Sequence, residues 1–404
     1  MKGITRGLGI IPEGFTTNEK TGEERHTKIE PGELTLLLFK VFGKGLEYNL
    51  MNCEAEIDRV AIPTVIIDNF YIFLSEKGWK INKIAAADAL QTAAQKNAYN
   101  PVEEEFIRIE NDDSIQPIEL DLVATDYLGT NDHLYDAMLS TTLIGLVNRT
   151  FHNGCKFDTC LVFTGKEGLL KSSFFKELAT DDWFCDTPMP RSNQDLYMTI
   201  GTCLIYEIAE IDGIKGKSQT DFKVLLSSTK DSYKRPYARG IGKYPRPSIF
   251  VATSNRGDFL SDPSSDNRRF WIIPIQERLD TEKLKRDRER IIKAAIIAYR
   301  KGRKPYLNTK LQDESNRRNK DFQAEHPFME KLSAWVISEI SFSGREALIG
   351  SGLRLDENIH ARDLKEVSNC LKALGFEKDD TQTRVNGTKK YLYHKPKTPK
   401  TTKT

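Results

Sequence analysis

The chain has 404 residues, a formal net charge of +2, and 39% hydrophobic and 29% charged residues. That length accommodates two or three domains with one sizeable core, and the balanced charge excludes a bulk polycation. No run of 18 apolar residues exists and residues 1–20 lack the apolar core of a signal peptide, so a cytoplasmic protein with no membrane partner is expected. The six cysteines (Cys53, Cys155, Cys160, Cys185, Cys203, Cys370) form no CxxC pair and read as reduced thiols rather than a zinc site.

Residues 1–30 are polar, contain glycine and lack periodicity, which predicts a mobile N-terminus. Residues 31–150 read as a helical accessory or collar region. Leu34, Leu37, Leu38, Val41 and Phe42 make an apolar stripe at helical spacing, 81–96 ends in an alanine-rich helix broken by Asn100-Pro101, and a second helical group covers 120–149. From 151 to 304 the pattern changes to short apolar strands alternating with helices. The strand candidates are LVFTG (161–165), TCLIYE (202–207), SIFVATSN (248–255) and FWIIPI (270–275), which is α/β grammar. Residues 305–325 read as a polar linker. Residues 326–395 then give two helices, 328–340 and 360–374, and a hairpin around Asn386-Gly387. This is the order of a winged-helix module with Arg384, Lys389 and Lys390 facing DNA, and 396–404 follows as a basic tail.

Charge is segregated although the total is nearly neutral. Residues 381–404 contain no Asp or Glu, and nine Lys or Arg between 214 and 247 face only Asp221 and Asp231. Two cationic surfaces are therefore expected.

Residues 161–178 read as a buried strand, a turn with Gly165 and Gly168, Lys171-Ser172, and a helix. This is the layout of a phosphate-binding P-loop: Gly165, Gly168, Lys171, Ser172 and Ser173 would hold ATP, the Lys171 ammonium would reach the β/γ-phosphates, and the Ser172 hydroxyl would ligate Mg²⁺. Leu170 stands where the pattern has glycine, which argues for reduced nucleotide affinity. Such a site needs acidic groups at the end of a neighbouring strand. Glu207 follows the strand 202–206 as metal-holding carboxylate, and Glu210 would share its face if a helix began there. Asn255 ends the next strand as a polar sensor of the γ-phosphate or attacking water. Arg268 and Arg269 precede the last strand, and one of them is expected to act across subunits as an arginine finger. The segment 230–247 is basic and aromatic with a Gly-Ile-Gly tip. It suits a pore hairpin in which Arg239 and Lys243 hold phosphates of a single strand, with Tyr237 or Tyr244 stacking on bases.

GKEGLLKSSFF, EIAEID, KDSYKRPYARG, FVATSN and NRRFWIIP, in this order, resemble the virulence-associated E (VapE-like) family of phages, plasmids and pathogenicity islands, whose members look like superfamily 3 hexameric helicases. The similarity spans roughly residues 99–275. It implies an α/β fold with an AAA+-like P-loop ATPase core, which the residue pattern flanks with a helical N-terminal region and a C-terminal winged-helix module. It further implies an ATP-dependent DNA helicase or replication initiator of a mobile element, with single- and double-stranded DNA, replication proteins and further copies of itself in a hexameric ring as partners. No acidic polymerase constellation precedes the core, so a fused primase is not expected. Two rival readings are an origin-binding scaffold with a structural nucleotide site, and an ATPase that acts on a protein partner.

Overall fold

In the computed structural model of the chain, the described residues are 8–211, 217–234, 240–260, 267–323, 327–385 and 388–395. The tip of the basic hairpin with Tyr237 and Arg239, the Asn386-Gly387 turn and the tail 396–404 lie outside them.

The front of the chain is mixed rather than helical. Strands Phe15–Thr17 and Glu24–Lys28 pair with each other, and the latter runs parallel to Trp79–Lys80, so part of the segment expected to be mobile is built into a sheet. A second sheet orders Val60–Ala61, Glu54–Ile57, Leu46–Asn49 and Ala98–Tyr99. Strands of two to five residues, several largely exposed, leave no alternation to read in the sequence. Helices Pro31–Phe42, Thr64–Glu76 and Lys83–Gln95 cover this part and bury Leu34, Leu38, Phe70, Leu74, Leu90 and Ala93. Asn82 starts the last of them by accepting a hydrogen bond from the Ala85 N–H at 2.9 Å.

From Pro101 the chain joins a different core. Helix Pro101–Asn111 and α1 (His133–Phe151) pack with α3 (Thr281–Arg300) in the hydrophobic cluster that also holds the central sheet. Arg288 forks onto Glu105 at 2.9 and 3.2 Å, and Arg300 onto Glu110 at 2.8 Å through both nitrogens. The central sheet has five parallel strands: β1 (Cys160–Thr164), β2 (Phe184–Cys185), β3 (Ile205–Ile208), β4 (Ile249–Ser254) and β5 (Phe270–Pro274). Their order is β5-β1-β4-β3-β2. The chain leaves β1 toward one side and returns for β5 on the other, so the carboxyl end of β1 is a topological switch point, where ligands bind in open α/β sheets. All four strands expected from sequence are present, and the two-residue edge strand β2 is the addition.

Of the expected linker 305–325, the described residues 305–323 are built onto the core. Helix Thr309–Arg318 lies on the core, where Gln312 donates to the Arg268 carbonyl at 3.2 Å and Asn319 donates to the carbonyls of Asn267 and Phe270 at 3.1 and 2.9 Å. Leu307 and Leu311 join the main core, but much of the attachment is made by hydrogen bonds, which hydropathy does not detect.

The C-terminal part contains helix Met329–Trp335, strand Ser341–Ser343, helices Gly344–Gly350 and Ala361–Ala373, strands Glu377–Lys378 and Leu392–His394, and a hairpin of Thr383–Val385 with Thr388–Lys390. Leu332, Phe342, Leu348, Val367, Leu371 and Tyr393 form its own core. The first helix stops five residues short of the expected end.

Candidate functional site

The side chains at the carboxyl edge of the sheet follow from the period of two along each strand. Ile205 and Val251 point into the core covered by α2 (Lys171–Ala179), so Glu207, Thr253 and Asn255 continue the same face outward. The helix is pinned beneath them by Phe163 of β1, which stacks on Phe175 with ring centroids 4.5 Å apart and meets Phe174 edge-on at 5.3 Å. Each such pair contributes about 0.5–1.5 kcal/mol beyond area burial.

Between β1 and α2 three residues of the loop 165–170 have positive φ. Gly165 has φ 140°, Gly168 φ 83° and Leu170 φ 62°. Gly165 admits no side chain, since a Cβ there would lie 2.3 Å from the Ile275 carbonyl oxygen. Leu170 is the residue immediately before the first turn of α2, with ψ 31°, so the position does demand the geometry that glycine provides at least cost.

Lys171, only 6% exposed, is folded back over this loop. Its ammonium donates to the carbonyls of Gly165 and Lys166, each at 2.7 Å, and to Asn255 Oδ1 at 3.0 Å. Burial pulls Lys171 below the ordinary lysine value, against the opposing pull of Glu167 and Glu207. Ser172 donates to Glu207 Oε1 at 2.7 Å, and Thr253 donates to the same oxygen at 2.8 Å. Glu207 Oε2 is buried and has no hydrogen-bond partner among the described residues. Burial pushes the Glu207 carboxyl above the usual glutamate value; the Ser172 and Thr253 hydroxyls work against this, and the Asp186 charge adds to it.

Lys171, Ser172, Glu207 and Asn255, chosen from sequence, are therefore brought together. Ser173 is half-buried in the first turn of α2. Glu210 is not brought to Glu207 on a helical face: Glu207 is still within β3, and Glu210 is exposed in the turn after that strand with φ 54°. Thr253, Glu167 and Asp186 were missed. Thr253 sits inside an apolar run, and Asp186 follows a strand too short to recognise.

Arg268 and Arg269 lie at the opposite, amino edge of the sheet, one strand away and so roughly 17 Å from the loop at about 3.3 Å per residue. Arg268 is exposed, while half-buried Arg269 donates to the Lys223 carbonyl and faces Asp158 at 3.8 Å. They do not reach the loop of their own chain. The basic hairpin Lys230–Tyr233 with Gly242–Pro245 is rooted at that same edge. Buried Arg246 forks onto Asp231, and Arg149 of α1, also buried, donates to the Arg246 carbonyl at 2.9 Å. Lys243 is exposed, and Tyr244 is half-buried against Tyr233, with ring centroids 4.6 Å apart. In the C-terminal hairpin Arg384 and Lys389 face each other across the strands and are exposed, whereas Lys390 is tied to Glu346 at 2.9 Å.

Among the described residues no cluster of three His, Cys, Asp or Glu side chains is arranged to hold a metal ion by itself. A cation beside Ser172 and Glu207 would thus lean on water and phosphate oxygens, which suits Mg²⁺. The unpartnered Oε2 of Glu207 fits that role. No helix among the described residues is long and apolar enough to cross a membrane.

No curated protein matches the chain. Two apo A-form structures of the NrS-1 C-terminal region align with it: one at TM-score 0.47 and 12% identity, covering 90% of this chain and 99% of that one, the other at 0.46 and 13%, covering 91% and 100%. The sequence profile of the virulence-associated protein E-like domain matches residues 110–325. That span is more than half of the chain and takes in α1, the whole five-stranded sheet and helix Thr309–Arg318, so the chain belongs to the virulence-associated protein E-like domain family.

Proposed function

We propose that the protein is an ATP-dependent DNA helicase or replication initiator of a mobile genetic element, working as a ring with nucleotide held between subunits. The observation that carries this reading is the convergence of Lys171, Ser172, Glu207 and Asn255 at the switch point of the sheet. The glycine loop and the start of α2 supply backbone N–H groups for phosphate, and Lys171 exchanges its three neutral acceptors for phosphate oxygens. Ser172 and Glu207 would hold Mg²⁺, which would neutralise phosphate charge when bound. Asn255, already beside the ammonium, orients the γ-phosphate or the attacking water.

The amino edge carries the rest of the reading. Arg268 or Arg269 of one subunit serves the nucleotide of the next as a finger, and the hairpin with Lys243 follows one DNA strand. Arg239 and Tyr237 belong to this reading from sequence alone. The strand and helix order of the C-terminal part supports a winged-helix module that holds duplex through Arg384 and Lys389, with the ion pair to Glu346 leaving Lys390 a smaller share.

One observation favours the scaffold reading instead. Leu170 in a left-handed conformation makes the loop costlier to hold in shape, as expected of a weak nucleotide site. ATP hydrolysis and nucleotide binding by two variants separate the readings. Lys171→Ala should lose hydrolysis with its fold intact, and Glu207→Gln should bind nucleotide but not turn it over. Parent-level hydrolysis by Lys171→Ala would overturn the assignment of the loop.

A further inference from the structure

Strand β2 adds a carboxylate that the reading above does not use. It pairs in parallel with β3, with Phe184 beside Ile205 and Cys185 beside Tyr206. Paired residues of neighbouring parallel strands point to the same face, and the cores agree: Phe184 and Ile205 pack under α2, whereas Cys185 and Tyr206 pack on the other side of the sheet. One step further puts Asp186 level with Glu207, on strands about 4.8 Å apart. Asp186 is exposed at the carboxyl edge. Lys176, raised mainly by its ion pair with Asp181, also feels the Asp186 charge. Lys176 is four residues beyond Ser172 on the same face of α2, and the Asp186 charge also acts on Glu207 itself.

Two acids side by side are not yet a site. What points to a ligand is Glu207 Oε2, on a side chain 1% exposed and left without a partner while Oε1 takes both hydroxyls. A buried carboxylate oxygen without a donor is costly unless a cation answers it.

We propose that Asp186 is the second acidic group of the Mg²⁺–nucleotide site, the role that sequence spacing gives to Glu210. It is a positioning residue: it acts on the cation through the water shell that Mg²⁺ retains, while Ser172 and Glu207 make the direct contacts. The inference rests on the nucleotide reading and adds a residue to it.

The test is the Mg²⁺ dependence of equilibrium binding of a fluorescent ATP analogue to the full chain. Asp186→Asn should raise the Mg²⁺ concentration at half-saturation about tenfold, the usual cost of losing an outer-shell carboxylate, while binding in EDTA stays as in the parent. Asp186→Glu, which keeps the charge, should recover most of the loss. An Asp186→Asn protein with the parent's Mg²⁺ half-point overturns the inference, as does equal weakening with and without Mg²⁺. A parent that binds no nucleotide at any Mg²⁺ concentration overturns the nucleotide reading itself, and the inference with it.

Discussion

Replacing Leu170 by glycine and, separately, by alanine isolates the strain in the loop. Both changes remove the same half-buried side chain beyond Cβ, so the lost contacts nearly cancel between them. What remains is the left-handed backbone at φ 62° and ψ 31°. A Cβ costs about 1–2 kcal/mol there, and glycine gives back about 0.5–1 kcal/mol through the greater freedom of its unfolded chain. The Leu170→Gly protein should therefore be the more stable of the two by about 0.5–1 kcal/mol. For a cooperative unit of 150–250 residues this is roughly 1–4 °C in the melting midpoint. Parallel urea and thermal unfolding of the two variants measures it, and a nucleotide titration should give the glycine variant the tighter binding. An alanine variant as stable as the glycine variant would refute the left-handed conformation, and with it the account of why this loop departs from the glycine pattern.

Glu207 makes a prediction about pH. Its folded carboxyl is raised by burial, so its contribution to stability is complete below the unfolded glutamate range and is lost as pH rises through the raised folded value. Glu207→Gln removes that loss, and its stability relative to the parent should increase from acid to neutral pH; a stability relative to the parent that falls as pH rises would contradict the burial argument. For the two arginines, Arg268→Ala or Arg269→Ala protein mixed with Lys171→Ala protein should regain part of the ATPase rate, because some mixed interfaces then carry both intact groups. Mixed rings as inactive as their components would argue against action across subunits. Removal of residues 326–404 should weaken duplex binding and flatten its dependence on salt while basal ATPase persists. Duplex binding with an unchanged salt slope would make the C-terminal part a structural cap.

The convergence of Lys171, Ser172, Glu207 and Asn255 was legible because the sequence combines signals of different kinds: a fully buried run ending in glycine, Lys171-Ser172 at a helix start, and acidic and amide groups at the ends of two other apolar strands. Period two then predicts which face Glu207 and Asn255 share. What stayed hidden lies where polar contacts do the packing. Gln312 and Asn319 fasten helix Thr309–Arg318 to the core through backbone carbonyls, so a structural helix reads as a linker. Thr253 looks like one more strand residue until its hydroxyl is seen on Glu207. Strand β2 spans two residues, too few for any periodicity, and Asp186 goes unread with it. Glu210 misled for a related reason: a spacing of three suggests a shared helical face only where a helix exists, and β3 ends in a turn instead.

The most direct measurement of the central claim is the ATP hydrolysis rate of the parent and of Lys171→Ala, each with and without single-stranded DNA, in Mg²⁺. The account predicts a parent rate that rises with single-stranded DNA and a variant rate at background under both conditions. Parent hydrolysis indifferent to DNA, or a variant that hydrolyses ATP as the parent does, would contradict it.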